Sequence, residues 1–561
     1  MKELILKYTL QNAVKYEGKA NINAIVGKIL SEKPELKENI KDVFKQVSEV
    51  IKEVNSMPLE AQKSKLNEIA PELLEEKPKE QKLLPDLPNV DKYKKIIMRI
   101  APYPSGPLHI GNTKQLILND YYVNKYHGDL LLIVDDTIGS EEKDISKDAY
   151  KLIPEAIKWM NIKHKEIIYK SDRLKIYYDY AKEIIKKDKA YVCFCSQKQL
   201  HDNRVNQKEC SHRDSEIKTN LKEFENMLKG KYKEGQCVLR IKTSMQDPNP
   251  AFRDRVLFRI SNRKHPRTGS KYKVWPLLEF SWAVDDHLLN ISHVLRGKEL
   301  QIESDMEKNI WNIFGWPPCE LLHTGLLQIE GIKISKSKSK KEVMSGKFIG
   351  WDDPRTWSLQ SLKRRGFYPE AIRNFILKLG LTQTEITVPI DSLYSENRKI
   401  IESLANRYFF IEDPIKIKIE NAPKRKIKLK LHPDLPKRGF RNLEVNNEFY
   451  ISKKDYKELQ NGKLYRLMDC LNFTKKGNKL VFESLEYKNF KDKGLRIMHW
   501  LPVKNNLNVE ILMDDGKVIK GIAENNLKKE KVNSIVQFER RYFCRCDKKE
   551  KNKLKFWYTH R

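Results

Sequence analysis

A doubly wound α/β domain, preceded by a helical domain and followed by β-barrels, is the fold class this sequence predicts. Three observations carry it. From about residue 93, short apolar runs such as Ile96–Ile100 and Leu130–Val134 alternate with helical patterns, as parallel strands buried on both faces do. Ahead of them, residues 1–75 place apolar side chains at helical spacing, as in Ile40, Val43, Phe44, Val47, Val50 and Ile51, with Lys and Glu between. Over residues 396–561 the texture becomes alternating, as in Ile415-Lys-Ile-Lys-Ile419 and Ile427-Lys-Leu-Lys-Leu431, and again through Val518–Ile522 and Val536–Arg540. Apolar residues on one face and lysines on the other describe half-buried strands.

The elements follow in order. Residues 76–92, rich in Pro and charge (Glu-Lys-Pro-Lys-Glu-Gln-Lys-Leu-Leu-Pro), read as a linker. The first strand, within residues 93–190, runs into Ala101-Pro-Tyr-Pro-Ser-Gly-Pro-Leu-His-Ile-Gly-Asn112. Pro102, Pro104 and Pro107 forbid its continuation, and Gly106 and Gly111 let backbone approach a ligand. Helical spacing then resumes at Leu116, Ile117, Asp120, Tyr121 and Val123 and stops at Gly128. His109 therefore sits where a helix begins, where free N–H groups and the helix dipole attract phosphate.

Residues 191–290 interrupt the α/β pattern as an insertion and hold four soft ligands. Cys193-Phe-Cys195 precedes a helical segment, Gln197–Val205, and Cys210-Ser-His212 follows it. Two such pairs can converge on a tetrahedral Zn²⁺ as a Cys₃His structural site; the alternative is a strand cysteine beside loop residues. Residues 291–325 return to the α/β pattern, and 326–395 open on the apolar Leu326-Leu327-Gln328-Ile329. Next comes Gly331-Ile-Lys-Ile-Ser-Lys-Ser-Lys-Ser-Lys-Lys341, which reads as a flexible polar loop. Lys333, Ser335 and Lys336 on such a loop suit the neutralisation of a triphosphate. Ala371–Gly380 then shows helical periodicity with a Gly stop.

Composition narrows the function. Lys plus Arg number 108 against 76 Asp plus Glu, a formal charge of +32, and the natural partner is a polyanion. No apolar run is long enough to span a membrane and no signal-peptide core opens the chain, so a cytoplasmic protein is expected. Eight cysteines in 561 residues do not make a disulfide scaffold.

The segment around His109 closely resembles the HIGH box, and Lys333–Ser337 the KMSKS box, of class I aminoacyl-tRNA synthetases. Further matches, Ile133-Val-Asp-Asp-Thr137, Val284-Asp-Asp-His287, His293-Val-Leu-Arg-Gly297, Phe314-Gly-Trp316 and Gly350-Trp-Asp-Asp-Pro-Arg355, keep the order seen in the glutamyl and glutaminyl group. The chain resembles archaeal-type glutamyl-tRNA synthetases, specifically from about Lys94 to Gly380. That resemblance implies a Rossmann-type catalytic domain, an insertion gripping the tRNA acceptor end, and anticodon-binding barrels. It implies His109, Lys336 and Lys333 as catalytic residues, with Pro102, Ser105, Gly106, Gly111, Asn112, Leu327 and Ser335 around ATP. Arg99, Ala101, Asp135, Leu278 and Arg296 would hold glutamate. ATP with Mg²⁺, glutamate and tRNA(Glu) are the implied substrates, with tRNA(Gln) a further acceptor and a monomer the expected state. A glutaminyl-tRNA synthetase and a tRNA-binding protein with a decayed site are the competing readings. Three departures stand out: Asn112 at the second HIGH histidine, Leu278 where relatives often place an aromatic, and Ile138-Gly-Ser140 after the acidic motif.

Overall fold

In the computed structural model, residues 2–16, 18–73, 84–139, 144–332 and 336–561 are described. The chain divides into two compact units, Met1–Leu83 and Leu84–Arg561. The first holds helices α1 (Lys2–Lys15), α2 (Ile22–Glu32), α3 (Ile40–Asn55) and α4 (Leu59–Ile69). Their core gathers Ile5, Val26, Ile29, Val43 and Val47, so the amphipathic stripe read from α3 faces inward. Ile40, at the start of that helix, is exposed. Residues 76–83 of the expected linker lie outside the described residues.

The second unit opens on a parallel sheet. Strand β1 (Ile97–Ile100) lies between β2 (Asp129–Val134) and, through Met98 and His293, a strand from much later in the chain. After β2 come α6 (Ala149–Trp159), β3 (Glu166–Tyr169) and α7 (Leu174–Lys186), while α5 (Thr113–Lys125) joins β1 to β2. The insertion contributes β4 (Ala190–Cys193), α8 (Gln197–Val205), α9 (Ile217–Leu228), β5 (Val238–Ile241), β6 (Val256–Ile260) and β7 (Val274–Pro276). Its four strands pair in sequence order, all antiparallel.

Helix α10 (Leu278–Leu288) returns the chain to β8 (His293–Gly297), and α11 (Gln301–Phe314) leads to β9 (Glu320–Thr324). The completed sheet has the order β3-β2-β1-β8-β9. Leu130 and Leu132 enter one core while Leu131 and Ile133 enter another on the opposite face, which is why β2 reads as an unbroken apolar run. Neighbours of β1 arrive from opposite directions in the chain. Such a switch point leaves a crevice at the carboxyl ends of the strands.

Strand β10 (Leu327–Ile329) follows, then α12 (Lys336–Met344), α13 (Leu359–Arg365), α14 (Pro369–Leu379) and α15 (Ile390–Ile401). The lysine–serine run is thus helical from Lys336 onward where a loop was expected. It contains neither Gly nor Pro after Gly331, and it ends in Glu342, Val343 and Met344, residues that suit a helix.

Two seven-stranded sheets make up the C-terminal region among the described residues, together with a ribbon of Arg425–Lys430 and Phe440–Val445. The barrels are nested in sequence. Asn406–Tyr408 pairs with Ile535–Phe538, and Phe410–Glu412 with Val518–Glu524, so one barrel is opened before the other is built and closed after it. A buried ion pair between Arg441 and Glu524 joins the ribbon to the strand Val518–Glu524, and Glu524 also accepts the Phe409 N–H at 2.7 Å. The last strand, Lys553–His560, is fastened to α13. Arg365 is fully buried, donates to the carbonyls of Tyr558 (3.2 Å) and Thr559 (2.9 Å), and lies over the Trp357 ring at 4.4 Å.

This joint carries a pH dependence. His560 is buried and its Nε2 accepts from the Asn397 amide at 3.1 Å. Burial depresses its pKa from the ordinary 6.5 to about 4, and burial, reinforced by Arg541 and Arg540, does the same to His499. Unfolding lets each histidine take up a proton once the pH drops below 6.5, so their stabilisation is full above that value and lost towards pH 4. Each shift corresponds to at most about 3 kcal/mol. Denaturant unfolding from pH 7 to 4 is therefore expected to show falling stability, and His560→Gln to flatten part of that slope; an identical slope in the variant would refute this assignment.

Candidate active site

The crevice is a cavity of about 1170 Å³. Arg99 and Ala101 reach it from the end of β1, Asp135 from the end of β2 and Arg296 from β8. Pro102, Ser105, His109, Gly111 and Asn112 line it from the following turn, Leu278 from α10, and Leu327 from β10. Gly106 is set back, with Trp351 packed where its side chain would begin: a Cβ there would stand 3.1 Å from that ring. Lys333 and Ser335 lie outside the described residues, as does the side chain of Lys336, whose backbone opens α12. Farther along that helix, Lys340 and Lys341 stand on the cavity wall.

His109 is held by its own turn. It caps the short turn Ile110–Asn112 that feeds α5; its Nδ1 accepts the Gly111 N–H at 3.1 Å, and Asn112 Oδ1 accepts the His109 N–H at 3.1 Å. A Cβ on Gly111 would lie 3.1 Å from the imidazole, so glycine is what lets the ring fold over this turn. Asn112 has its carbonyl oxygen committed to this cap and keeps its NH₂ to donate. On the other side, Ile110 donates to Trp357 O at 3.1 Å and Leu359 to Leu108 O at 2.9 Å, tying the turn to the start of α13.

A second cluster is built around Trp282. Arg99 (5.0 Å), Lys170 (4.9 Å) and Arg296 (4.9 Å) all approach its ring. Each cation has its own anion: Arg99 pairs through Nε and Nη2 with Asp286, Lys170 stands 3.4 Å from Asp135, and Arg296 forks onto Glu307 at 2.8 and 3.0 Å. Burial lowers the Lys170 pKa, while burial pushes Glu307 up to about 7 against the pull of Arg296. The two arginines differ in what they keep. Arg296 spends its other edge on Ser304, whereas Arg99 binds Asp286 side-on and leaves its Nη1/Nη2 edge for a second carboxylate.

Of these partners, Asp286 falls within the stretch Val284–His287 with no role legible in the sequence, and Lys170, Trp282 and Glu307 fall outside the sequence motifs and carry no role there. Trp282 had a usable signal: it is one helical turn beyond Leu278 on α10, and both residues line the cavity. Lys170 had none.

The four soft ligands of the insertion do converge. Their donor atoms all lie within 4.8 Å of one another, with Cys193 Sγ 3.7 Å from Cys210 Sγ and Cys195 Sγ 3.6 Å from His212 Nδ1. A tetrahedron with ordinary zinc–sulfur and zinc–nitrogen arms has edges of about 3.8 and 3.6 Å between such atoms. The donor set fits that ion. Cys193 closes β4 and Cys210 and His212 lie beyond α8, whose N-terminus is fixed by a reciprocal cap between Ser196 and Gln199.

Residues 95–403 match the family of tRNA synthetases class I (E and Q), catalytic domain. The chain belongs to that family. Residues 405–480 and 497–547 match two anti-codon binding domains of the same class I synthetases. Full-length relatives named glutamate–tRNA ligase include those of Pyrococcus furiosus (42% identical), Methanocaldococcus jannaschii (40%) and Methanococcus maripaludis (39%), each alignment covering 100% of both chains. The class I resemblance read from the boxes around His109 and Lys336 is thereby established, of archaeal type. No helix among the described residues is long and apolar enough to cross a membrane.

Proposed function

We propose that this protein is a glutamate–tRNA ligase that forms glutamyl-adenylate from glutamate and Mg-ATP and passes the glutamyl group to the 3′ end of tRNA(Glu). The open Nη edge of Arg99 beside Asp135 carries the choice of amino acid. A guanidinium edge grips a carboxylate by two parallel hydrogen bonds, while an amide offers one acceptor and an unwanted donor. Asp135 supplies the negative charge for the α-ammonium group, Arg296 offers its remaining outer N–H, and Ala101 and Leu278 shape the wall.

In the first step a glutamate α-carboxylate oxygen attacks the α-phosphorus of ATP and pyrophosphate leaves. In the second, a ribose hydroxyl of the terminal adenosine attacks the activated carbonyl and AMP leaves. Charge grows on the phosphates in the first step, and His109, Lys336 and Lys333 stabilise it. Pro102, Ser105, Gly111, Asn112, Leu327 and Ser335 position the nucleotide, Gly106 makes room for Trp351 behind them, and Mg²⁺ arrives with the nucleotide. The Cys₃His cluster is read as a structural zinc site, whose ion when bound cross-links β4 to the segment after α8.

We further propose that tRNA(Gln) is also charged with glutamate. Aminoacylation of both purified tRNAs with glutamate and with glutamine tests the choice of amino acid and of tRNA. Glutamate is expected on both tRNAs and glutamine on neither. Glutamine without glutamate would overturn the amino-acid assignment, and glutamate on tRNA(Glu) alone would remove the second acceptor.

A further inference from the structure

Arg240 lies opposite Tyr191 in the antiparallel register of β4 and β5, which puts its guanidinium on the same face as Tyr191 and Cys193. It is 1% exposed. Its Nε donates to the backbone oxygen of Asp254 at 2.7 Å, and its Nη1 stands 3.8 Å from Cys193 Sγ and 3.8 Å from Cys210 Sγ. Nη2 is buried with no hydrogen-bond partner among the described residues. The nearby Asp254 carboxylate is committed elsewhere, accepting from Tyr191 Oη (2.9 Å), Arg213 Nε (3.0 Å) and Thr243 N (2.8 Å). No carboxylate pairs with Arg240 among the described residues.

A fully buried guanidinium held by one carbonyl, two sulfurs and the face of the Tyr191 ring at 5.4 Å has no anion of its own if those sulfurs are neutral thiols. It is balanced if they are thiolates on a divalent ion. Three thiolates, a neutral imidazole and Zn²⁺ sum to one negative charge, which one guanidinium cancels. A site with two thiolates and two imidazoles would be neutral and would leave Arg240 uncompensated.

Resting on the zinc reading given above, we propose that Arg240 is the counter-charge of a [Zn(Cys)₃(His)]⁻ centre, a positioning residue that touches two ligand sulfurs and sets the net charge this pocket accepts. The insertion's small lobe is then held by an electrostatically closed unit of four ligands and one buried cation.

The test is zinc affinity, measured on the full-length protein by competition with a chromophoric chelator, for wild type, Arg240→Lys and Arg240→Met. Arg240→Met is expected to bind zinc about 10–100-fold more weakly, with Arg240→Lys recovering part of the loss. Cobalt substitution should give the thiolate charge-transfer bands of a three-sulfur site in all three proteins, because the ligands are unchanged. The metal-free forms separate this role from mere packing: removing an uncompensated buried cation is expected to leave the chelated protein as stable as wild type or more so. Equal destabilisation of the metal-free and zinc-loaded forms by Arg240→Met, with unchanged zinc affinity, would overturn the proposal. Absence of stoichiometric zinc from the wild type, or a cobalt spectrum of a two-sulfur site, would overturn the reading on which it rests.

Discussion

Replacing His109 by alanine is expected to slow glutamate-dependent ATP–pyrophosphate exchange about 10²–10³-fold, the usual effect of deleting one preorganised donor at a site of developing charge. The structure makes the imidazole such a donor. Because Nδ1 accepts the Gly111 N–H, the ring proton of the neutral form belongs to Nε2, and the ring cannot rotate without losing that bond. The backbone on either side is fixed by Trp357 and Leu359, so the side chain can be removed without releasing the turn. The loss should therefore fall on kcat, with the KM for glutamate nearly unchanged, since Arg99 and Asp135 lie on other strands. An exchange rate within threefold of wild type would remove His109 from the chemistry. A fall in thermal stability equal to that of an unrelated core variant would instead mark it as structural.

Much of this arrangement is legible in the sequence. The prolines and glycines of Ala101–Asn112 fix a strand-to-helix turn by local sterics, so the place of His109 follows from the residues alone. β2 announces itself because both faces of the central sheet are covered. What stayed hidden is what depends on contacts far apart in the chain. Asp286 meets Arg99, and Lys170 meets Asp135, only once α10 and the segment after β3 have packed beside the crevice. Nothing in the local pattern around Lys170 tells a buried lysine from a solvated one.

The C-terminal barrels show the same division. Alternation identified four of their strands, at Ile415–Ile419, Ile427–Leu431, Val518–Ile522 and Val536–Arg540, but the pairing of Asn406 with Val536, which nests one barrel in the other, leaves no trace in either strand. The helix from Lys336 is hidden in the sequence for another reason. A run of lysine and serine is compatible with loop or helix, and composition pointed to the former.

Arg99 is where the choice of glutamate can be broken most directly. Arg99→Gln is expected to lower kcat/KM for glutamate by about 10²–10³-fold, the range for truncating one partner of a buried, hydrogen-bonded charge pair. The KM for ATP should stay within a few-fold. Some of the cost is not about substrate. Arg99 is 4% exposed and its Nε and Nη2 are tied to Asp286, so glutamine leaves that carboxylate without its cation in a buried place. The double variant Arg99→Gln/Asp286→Asn removes the stranded charge and should recover folding stability without recovering glutamate activation. If it recovers both, Arg99 acts only as the partner of Asp286 and the glutamate assignment fails. Arg99→Lys sharpens the point, since a point charge keeps the ion pair but lacks the flat second edge. It is expected to fold normally and still activate glutamate poorly, because two edges of one guanidinium have to face Asp286 and the substrate at the same time.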